Sequence, residues 1–269
     1  MTVKLHGMIC GYLTLPQEFL LQDTEGDITV PIPSYLIEHP KGTVVFDTGL
    51  ETQLHESNPD LEDALGPLAT VGHATFGKDE DVAERLKAAG RDPEKIDYMI
   101  NSHLHLDHAG GNALLPNSRW IVQRREYDAA FSPEGQEKHA YRTRLFDLGH
   151  DVIKPDGEYD VFGDGSVVCI PSYGHTAGHQ SLKLKLECGE TILTGDACYM
   201  CRTLDESRLP PGFLESADDM LCSLHRFREF RAGGGALIFG HDPAQWVNCG
   251  DGHLQELDTR STPKALAGS

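Results

Sequence analysis

Between residues 103 and 108 the chain sets four ligand-type side chains in six positions: His103, His105, Asp107 and His108. They stand in the segment Asn101-Ser102-His103-Leu104-His105-Leu106-Asp107-His108-Ala109-Gly110-Gly111-Asn112. Residues 96–102 read as a strand that runs directly into this cluster. In an extended chain, residues two apart face the same side, so His103 and His105 are expected to converge while Leu104 and Leu106 turn into a core. A turn after Leu106 would aim Asp107 and His108 at a second point close by, and Gly110-Gly111 permits the tight backbone that follows. Imidazole and carboxylate donors suit zinc and similar divalent ions. The chain holds 14 histidines, so scattered surface pairs are expected, but this density in strand register is not.

Three further residues can complete two metal positions, each following a strand-like run and beside a glycine. His175 lies in Gly174-His175-Thr176-Ala177-Gly178-His179-Gln180-Ser181, Asp196 follows Thr194-Gly195, and His241 follows Phe239-Gly240. Singly each reads as an ordinary structural residue; together after the cluster they read as a ligand set.

The rest of the chain fits one large domain over 1–250 and a polar, fraying tail over 251–269. With 269 residues, 39% of them hydrophobic and 24% charged, a sizeable core is expected rather than disorder. Neither an apolar run of membrane-spanning length nor a leader-like N-terminus is present, so the chain reads as soluble and cytoplasmic. The formal charge of −19 has the wrong sign for nucleic acid or an anionic membrane surface. The seven cysteines are odd in number and irregular in spacing, which suits a reducing compartment, and the Cys198/Cys201 pair alone is a weak metal or redox signal.

Residues 43–47, 96–102, 120–123, 167–170, 181–186, 191–194 and 236–239 read as strands, and 79–89, 126–131 and 218–230 as helices. Residues 50–78 form a long excursion of the kind that is often functional. Strands followed by helices, twice over, suit sheets packed face to face with helices outside.

His103-x-His105-x-Asp107-His108 resembles the signature of the metallo-β-lactamase superfamily, over about residues 33–248. The resemblance implies an α+β, four-layer αβ/βα sandwich with the active site at the edge between the two sheets. It implies two divalent metal ions, zinc first, with iron, cobalt or manganese as alternatives. One would be held by His103, His105 and His175, the other by Asp107, His108 and His241, with Asp196 bridging. Within the superfamily the chain is most similar to the N-acyl-homoserine lactonase (quorum-quenching) group. The segments 102–112 and 174–181 and the stretch Asp196-Ala197-Cys198-Tyr199 carry that likeness. A tyrosine three residues after the bridging aspartate is its most discriminating mark. A short C-terminus that is not basic overall departs from the glyoxalase II pattern, and His105 departs from the flavodiiron one.

The resemblance implies ring opening of an N-acyl homoserine lactone by a hydroxide shared between the metals. Tyr199 would donate to the carbonyl oxygen, and Asp107 would pass a proton to the leaving ring oxygen. Asp47 and His179 are candidates to hold a ligand imidazole from behind. Phe19, Leu20 and Leu21, with Leu54, Leu65, Leu68, Val71 and Phe76, are candidate walls for an acyl chain. The partners that the resemblance implies are a small lactone and a second copy in a homodimer. Three readings stay open beside this one: a lactonase for 4-pyridoxolactone or a γ-butyrolactone, a promiscuous aryl- or phosphoester hydrolase, and a redox or sensor protein using the cluster with Cys198/Cys201.

Overall fold

The computed structural model describes residues 2–55, 72–246 and 252–257. Its frame starts with a long antiparallel hairpin, β1 (Lys4–Pro16) and β2 (Asp27–His39). The register shifts between Ile9 and Tyr12, where Gly11 turns with φ +95°, and a Cβ there would stand 2.7 Å from Leu50 and 2.8 Å from Phe76. A bulge of this kind bends a strand, and only glycine fits the crowded left-handed position. The sequence pattern did not mark these two strands; residues 19–21 lie in the loop that joins them. β2 is buried along both faces from Val30 to Ile37, so the polar–apolar alternation that marks a half-exposed strand is absent.

β3 (Gly42–Phe46) pairs antiparallel with β2, and β4 (His73–Thr75) pairs with β1. Helix α1 (Val82–Ala88) follows, with Asp81 accepting the Glu84 N–H as its cap. β5 (Tyr98–Ile100) and β6 (Arg119–Ile121) run parallel to β3. Helices α2 (Arg124–Ala130) and α3 (Pro133–His139) come next, and β7 (Val152–Ile153) pairs parallel with β6. The second sheet holds β8 (Tyr159–Asp160), β9 (Val167–Pro171), β10 (Gln180–Leu186) and β11 (Gly189–Leu193), all antiparallel. Helices α4 (Cys201–Glu206) and α5 (Ala217–Ala232) precede β12 (Ala236–Ile238), which lies parallel to β11.

The polar tail does not fray where it is described. β13 (Gln255–Glu256) returns to the outer edge of β1, and the Leu257 N–H donates to Leu5 O; residues 258–269 lie outside the described residues. The first sheet therefore runs β13-β1-β2-β3-β5-β6-β7 and the second β12-β11-β10-β9-β8.

Three apolar layers bind four layers of structure. Leu5, Ile37, Phe46 and Ile121 from the first sheet meet Val167, Leu182, Leu184 and Ile238 from the second. Val82, Leu86 and Ala130 of the helices cover the outer face of the first sheet with Met99 and Trp120. Leu204, Leu224 and Phe227 cover the outer face of the second, against Ile170 and Ile192. This is the expected αβ/βα sandwich. On α5 Met220, Leu224 and Phe227 are buried at helical spacing, whereas Leu221, one residue off that stripe, is 41% exposed.

The candidate metal centre

Parallel strands need crossovers, and their C-terminal ends all open at one edge of the sandwich. Asp47 follows β3, the histidine cluster follows β5, Asp196 follows β11 and His241 follows β12. His175 sits in the turn joining β9 to β10.

The cluster itself departs from the sequence reading. β5 stops at Ile100, and residues 101–110 are bends and turns, not strand. His103 and His105 still meet, but by different atoms: His103 Nε2 lies 2.9 Å from His105 Nδ1. Strand register would have presented equivalent atoms side by side. Leu104 is buried in the outer core as expected, whereas Leu106 is half-buried and lines the cavity.

All seven residues converge in two sets. His175 Nε2 stands 3.1 Å from both His103 Nε2 and His105 Nδ1. Three ring nitrogens thus form a triangle with edges of 2.9–3.1 Å. Donor atoms around a tetrahedral ion with bonds of 2.0–2.1 Å would stand roughly 3.3 Å apart. In the second set, Asp107 Oδ2 lies 3.5 Å from His108 Nε2 and 3.6 Å from His241 Nε2. Asp196 spans both: Oδ2 faces His175 at 3.5 Å and His103 at 3.8 Å, while Oδ1 faces His241 at 3.0 Å and His108 at 3.2 Å. His108 Nε2 and Asp196 Oδ1 are buried without a hydrogen-bond partner. Buried polar atoms are rarely left unsatisfied, so a donor set of this shape fits a pair of cations. Among the described residues, the groups able to hold a metal are built of these seven alone and include no cysteine.

The far side of each ring fixes its orientation. His108 Nδ1 lies 2.8 Å from Asp47 Oδ2, His175 Nδ1 2.9 Å from Phe213 O, and His241 Nδ1 2.9 Å from Pro31 O. Each Nδ1–H is thereby committed, which leaves Nε2 as the free acceptor facing the centre. Asp47 thus stands where the sequence put it. His179 does not: it holds no imidazole, but accepts the Asp196 backbone N–H on Nε2 at 3.0 Å and pairs with Ser172 through Nδ1.

Charge follows burial and partners. Burial pushes His103 and His105 well below the ordinary histidine value and His175 to about 4, so these rings are neutral at pH 7. Burial also opposes charge on Asp107, but His108 and His241 outweigh it and hold the carboxyl at about 2. Asp196 is held well below its usual range by the same two rings against the same penalty.

Tyr199 is buried above this centre, its ring stacked on His241 at 5.8 Å. Burial, then Asp196 and Asp107, push its phenol upward, so it stays protonated. Its hydroxyl lies 3.1 Å from His175 Nδ1, whose proton goes to Phe213 O, so the tyrosine oxygen can only accept there and its own proton turns to the Asp196 carboxylate.

A cavity of about 270 Å³ opens over Tyr199, Asp107, Asp196 and His241, walled by Leu13, Leu15, Phe19, Leu20, Val30 and Phe213. Phe19 and Leu20 are walls as expected. Leu21, Leu54 and Phe76 are not: they are fully buried, the last two in the packing beneath the hairpin. Leu65, Leu68 and Val71 lie outside the described residues. Leu13, Leu15 and Val30 were missed with the hairpin, although the Leu13-Thr14-Leu15 alternation carries the signal. Phe213 lies in a segment with no periodicity and left none. The Cys198/Cys201 pair takes no part: Cys198 donates to Met200 O, Cys201 to Asp205, and both thiols are free.

Comparison with known proteins narrows this further. The profile of the metallo-beta-lactamase superfamily matches residues 28–241, which contain all seven converging residues. The chain is 37% identical over 235 residues to the N-acyl homoserine lactonase AttM of Azorhizobium caulinodans, covering 84% of this chain and 87% of that one. It is 32% identical over 225 residues to an N-acyl homoserine lactonase of Bacillus cereus, covering 82% and 85%. Among solved structures it matches an N-acyl homoserine lactone hydrolase with N-hexanoyl-L-homoserine bound at the catalytic metal centre. That match has a TM-score of 0.78 and 29% identity and covers 90% of this chain and 94% of the other. A profile match from the N-terminal hairpin to the last converging histidine, on a fold of the same architecture, places the chain in the metallo-β-lactamase superfamily.

Proposed function

We propose that the chain is a dinuclear metal-dependent lactonase that opens N-acyl homoserine lactones and so silences bacterial quorum signals. The observation that carries this reading is the apolar cavity whose floor is the two-set ligand cluster with the Tyr199 hydroxyl at its side. The curated relatives at 37% and 32% identity, named N-acyl homoserine lactonases, support it.

In this reading His103, His105 and His175 would hold one ion and Asp107, His108 and His241 the other, with the Asp196 carboxylate facing both sets. Two divalent ions so held supply a water that deprotonates near neutral pH and a Lewis acid for the ring carbonyl. The chain does the rest. Tyr199 donates to the carbonyl oxygen as negative charge develops there. Asp107, ionised at neutral pH, takes the proton released at Oδ as water adds to the carbonyl carbon, and returns it to the ring oxygen as the C–O bond breaks. The net result is one water added across one ester bond, giving the hydroxy acid. Leu13, Leu15, Phe19 and Phe213 bury the acyl chain and exclude water beside it.

Zinc is the ion favoured by this imidazole and carboxylate set. A cytoplasmic setting fits the unpaired thiols of Cys10, Cys169, Cys198, Cys201 and Cys222. The test is elemental analysis of the purified protein with proton release measured on N-hexanoyl and N-decanoyl homoserine lactones. Turnover lost in His105→Ala and Asp196→Asn supports the reading. Opening of 4-pyridoxolactone or γ-butyrolactone with no acyl-lactone turnover overturns it.

A further inference from the structure

Glu126, in the first turn of α2, is fully buried. A carboxylate is costly to bury unless donors replace its water. Four do so. Oε1 accepts the Leu104 backbone N–H at 3.1 Å and the Tyr141 hydroxyl at 2.7 Å. Oε2 accepts the Thr176 hydroxyl at 2.7 Å and the Gly178 backbone N–H at 3.0 Å.

Where those donors sit matters more than how many there are. Leu104 stands between His103 and His105, and Thr176 follows His175. One carboxylate therefore ties together the two loops whose imidazoles form the three-nitrogen triangle. Packing says the same independently. A Cβ on Gly178 would lie 2.1 Å from Glu126 N and 2.7 Å from its Cα, so the His175 loop rests directly on the first turn of α2. The other ligand set is held from behind by different groups, Asp47 on His108 and Pro31 O on His241.

We propose that Glu126 is a positioning residue for the metal position of His103, His105 and His175, and that it tunes the affinity of that position and not of the other. The proposal rests on the two-metal reading above. Only a carboxylate meets the requirement. Each oxygen receives two donors, so a glutamine in its place would turn an NH2 group against one pair of N–H and O–H groups. Glu126→Gln therefore breaks the tie at constant volume.

The experiment is titration of chelator-stripped protein with cobalt(II), followed by visible absorption and chelator competition, with folding checked by circular dichroism. His105→Ala supplies the reference for loss of the same position. The parent should bind two equivalents. Glu126→Gln should stay folded, hold one equivalent as the parent does, and bind the other about 10- to 100-fold more weakly, with the spectral change seen in His105→Ala. Thr176→Val, which removes one donor at nearly constant shape, should weaken the same position by a smaller factor. Tyr141→Phe removes a donor that belongs to neither ligand loop and should leave both affinities within a few-fold. Parental affinity at both positions in Glu126→Gln, or equal weakening of both, overturns the proposal. If Glu126→Gln fails to fold, Thr176→Val decides by the same criteria. A parent that binds fewer than two equivalents defeats the two-metal reading itself, and this inference with it.

Discussion

Asp47 Oδ2 lies 2.8 Å from His108 Nδ1, and the same carboxylate accepts the backbone N–H of Ser102 at 2.7 Å and its hydroxyl at 2.9 Å. Asp47 reaches this position by leaving β3 in a left-handed conformation, φ +56°, which aspartate tolerates better than most residues. It thus orients one ligand ring and braces the residue before another. Asp47→Asn keeps the shape but turns a donor toward Ser102 or His108. It should lower metal affinity at the His108 position by about 10- to 100-fold, read by chelator competition. Unchanged affinity in a folded variant would count against the orienting role.

The two ligand sets should differ in how pH governs loading. Burial opposes charge on His108, yet Asp196, Asp107 and Asp47 together hold its pKa well above the ordinary value. His241 is raised too, with Asp196 overcoming the same burial penalty. A metal takes only the deprotonated ring, so a raised pKa opposes loading at neutral pH and a lowered one assists it. Affinity of the His108/His241 position should therefore climb as pH rises from 6 toward those raised values. The His103/His105/His175 position, already deprotonated, should change little over that range. Calorimetry in two buffers of different ionisation enthalpy should find proton release on filling one position and little on filling the other. Equal release at both would be the contrary result.

The candidate ligand residues and most of the short strands were legible in the sequence because each stands on a local pattern, while the four-layer sandwich was expected from the family resemblance. His103 to His108 is dense enough to be read alone, and the strands flanking Asp196 and His241 are short apolar runs between glycines. The β1–β2 hairpin was hard to read, because β1 from Leu5 to Gly11 and β2 from Val30 to Ile37 are buried on both faces and only the short Leu13-Thr14-Leu15 stretch alternates. Glu126 was not legible either. In sequence it is an acidic residue in a first helical turn, an ordinary place for one, and only the packing brings Leu104, Thr176 and Gly178 onto it. The strand register given to His103 and His105 was mistaken, since a loop delivers both rings to the same point through unlike nitrogens. Convergence survived the error because it is set by contacts distant in sequence, not by the pleat.

Removing metal should destabilise the protein as well as silence it. Without cations, the buried carboxylates and rings of the centre face one another, Asp196 Oδ1 standing 3.0 Å from His241 Nε2 and 3.2 Å from His108 Nε2. At free metal a hundred-fold above its dissociation constant, each bound ion adds about 2.7 kcal/mol to folding stability. For a chain of this size that is roughly 5–10 °C in Tm per ion. A chelator should lower the melting temperature by at least that much, and added zinc should restore both Tm and activity. A Tm that ignores the chelator would mean the ligand cluster is held together by other forces.

Phe19 and Phe213 meet across the cavity mouth with ring centroids 6.0 Å apart, one from the hairpin loop and one from the loop before α5. A long acyl chain would lie against both, and a short one would not reach them equally. Burying a phenylalanine-sized contact contributes about 1.5–3 kcal/mol, or roughly 10- to 100-fold in affinity. Phe19→Ala should therefore raise KM for N-decanoyl homoserine lactone by about 10-fold or more, with a smaller rise for the N-butanoyl substrate and kcat little changed. Equal rises for both chain lengths would remove Phe19 from the acyl wall.

Tyr199 should show the opposite kinetic signature. Its hydroxyl proton is not consumed by His175, whose Nδ1–H goes to Phe213 O; it turns to Asp196 in the free protein and must be redirected to a substrate oxygen. The bond matters most when that oxygen carries charge, so its loss should fall on kcat rather than on KM. Tyr199→Phe keeps the ring stacked on His241 and removes only the hydroxyl. The expected fall in kcat is about 10- to 1,000-fold, by comparison with other oxyanion donors, at unchanged metal content. A parallel loss of metal would point instead to a structural role through His175, because the same hydroxyl lies 3.1 Å from that ring. Elemental analysis of the variant beside its steady-state rates separates the two.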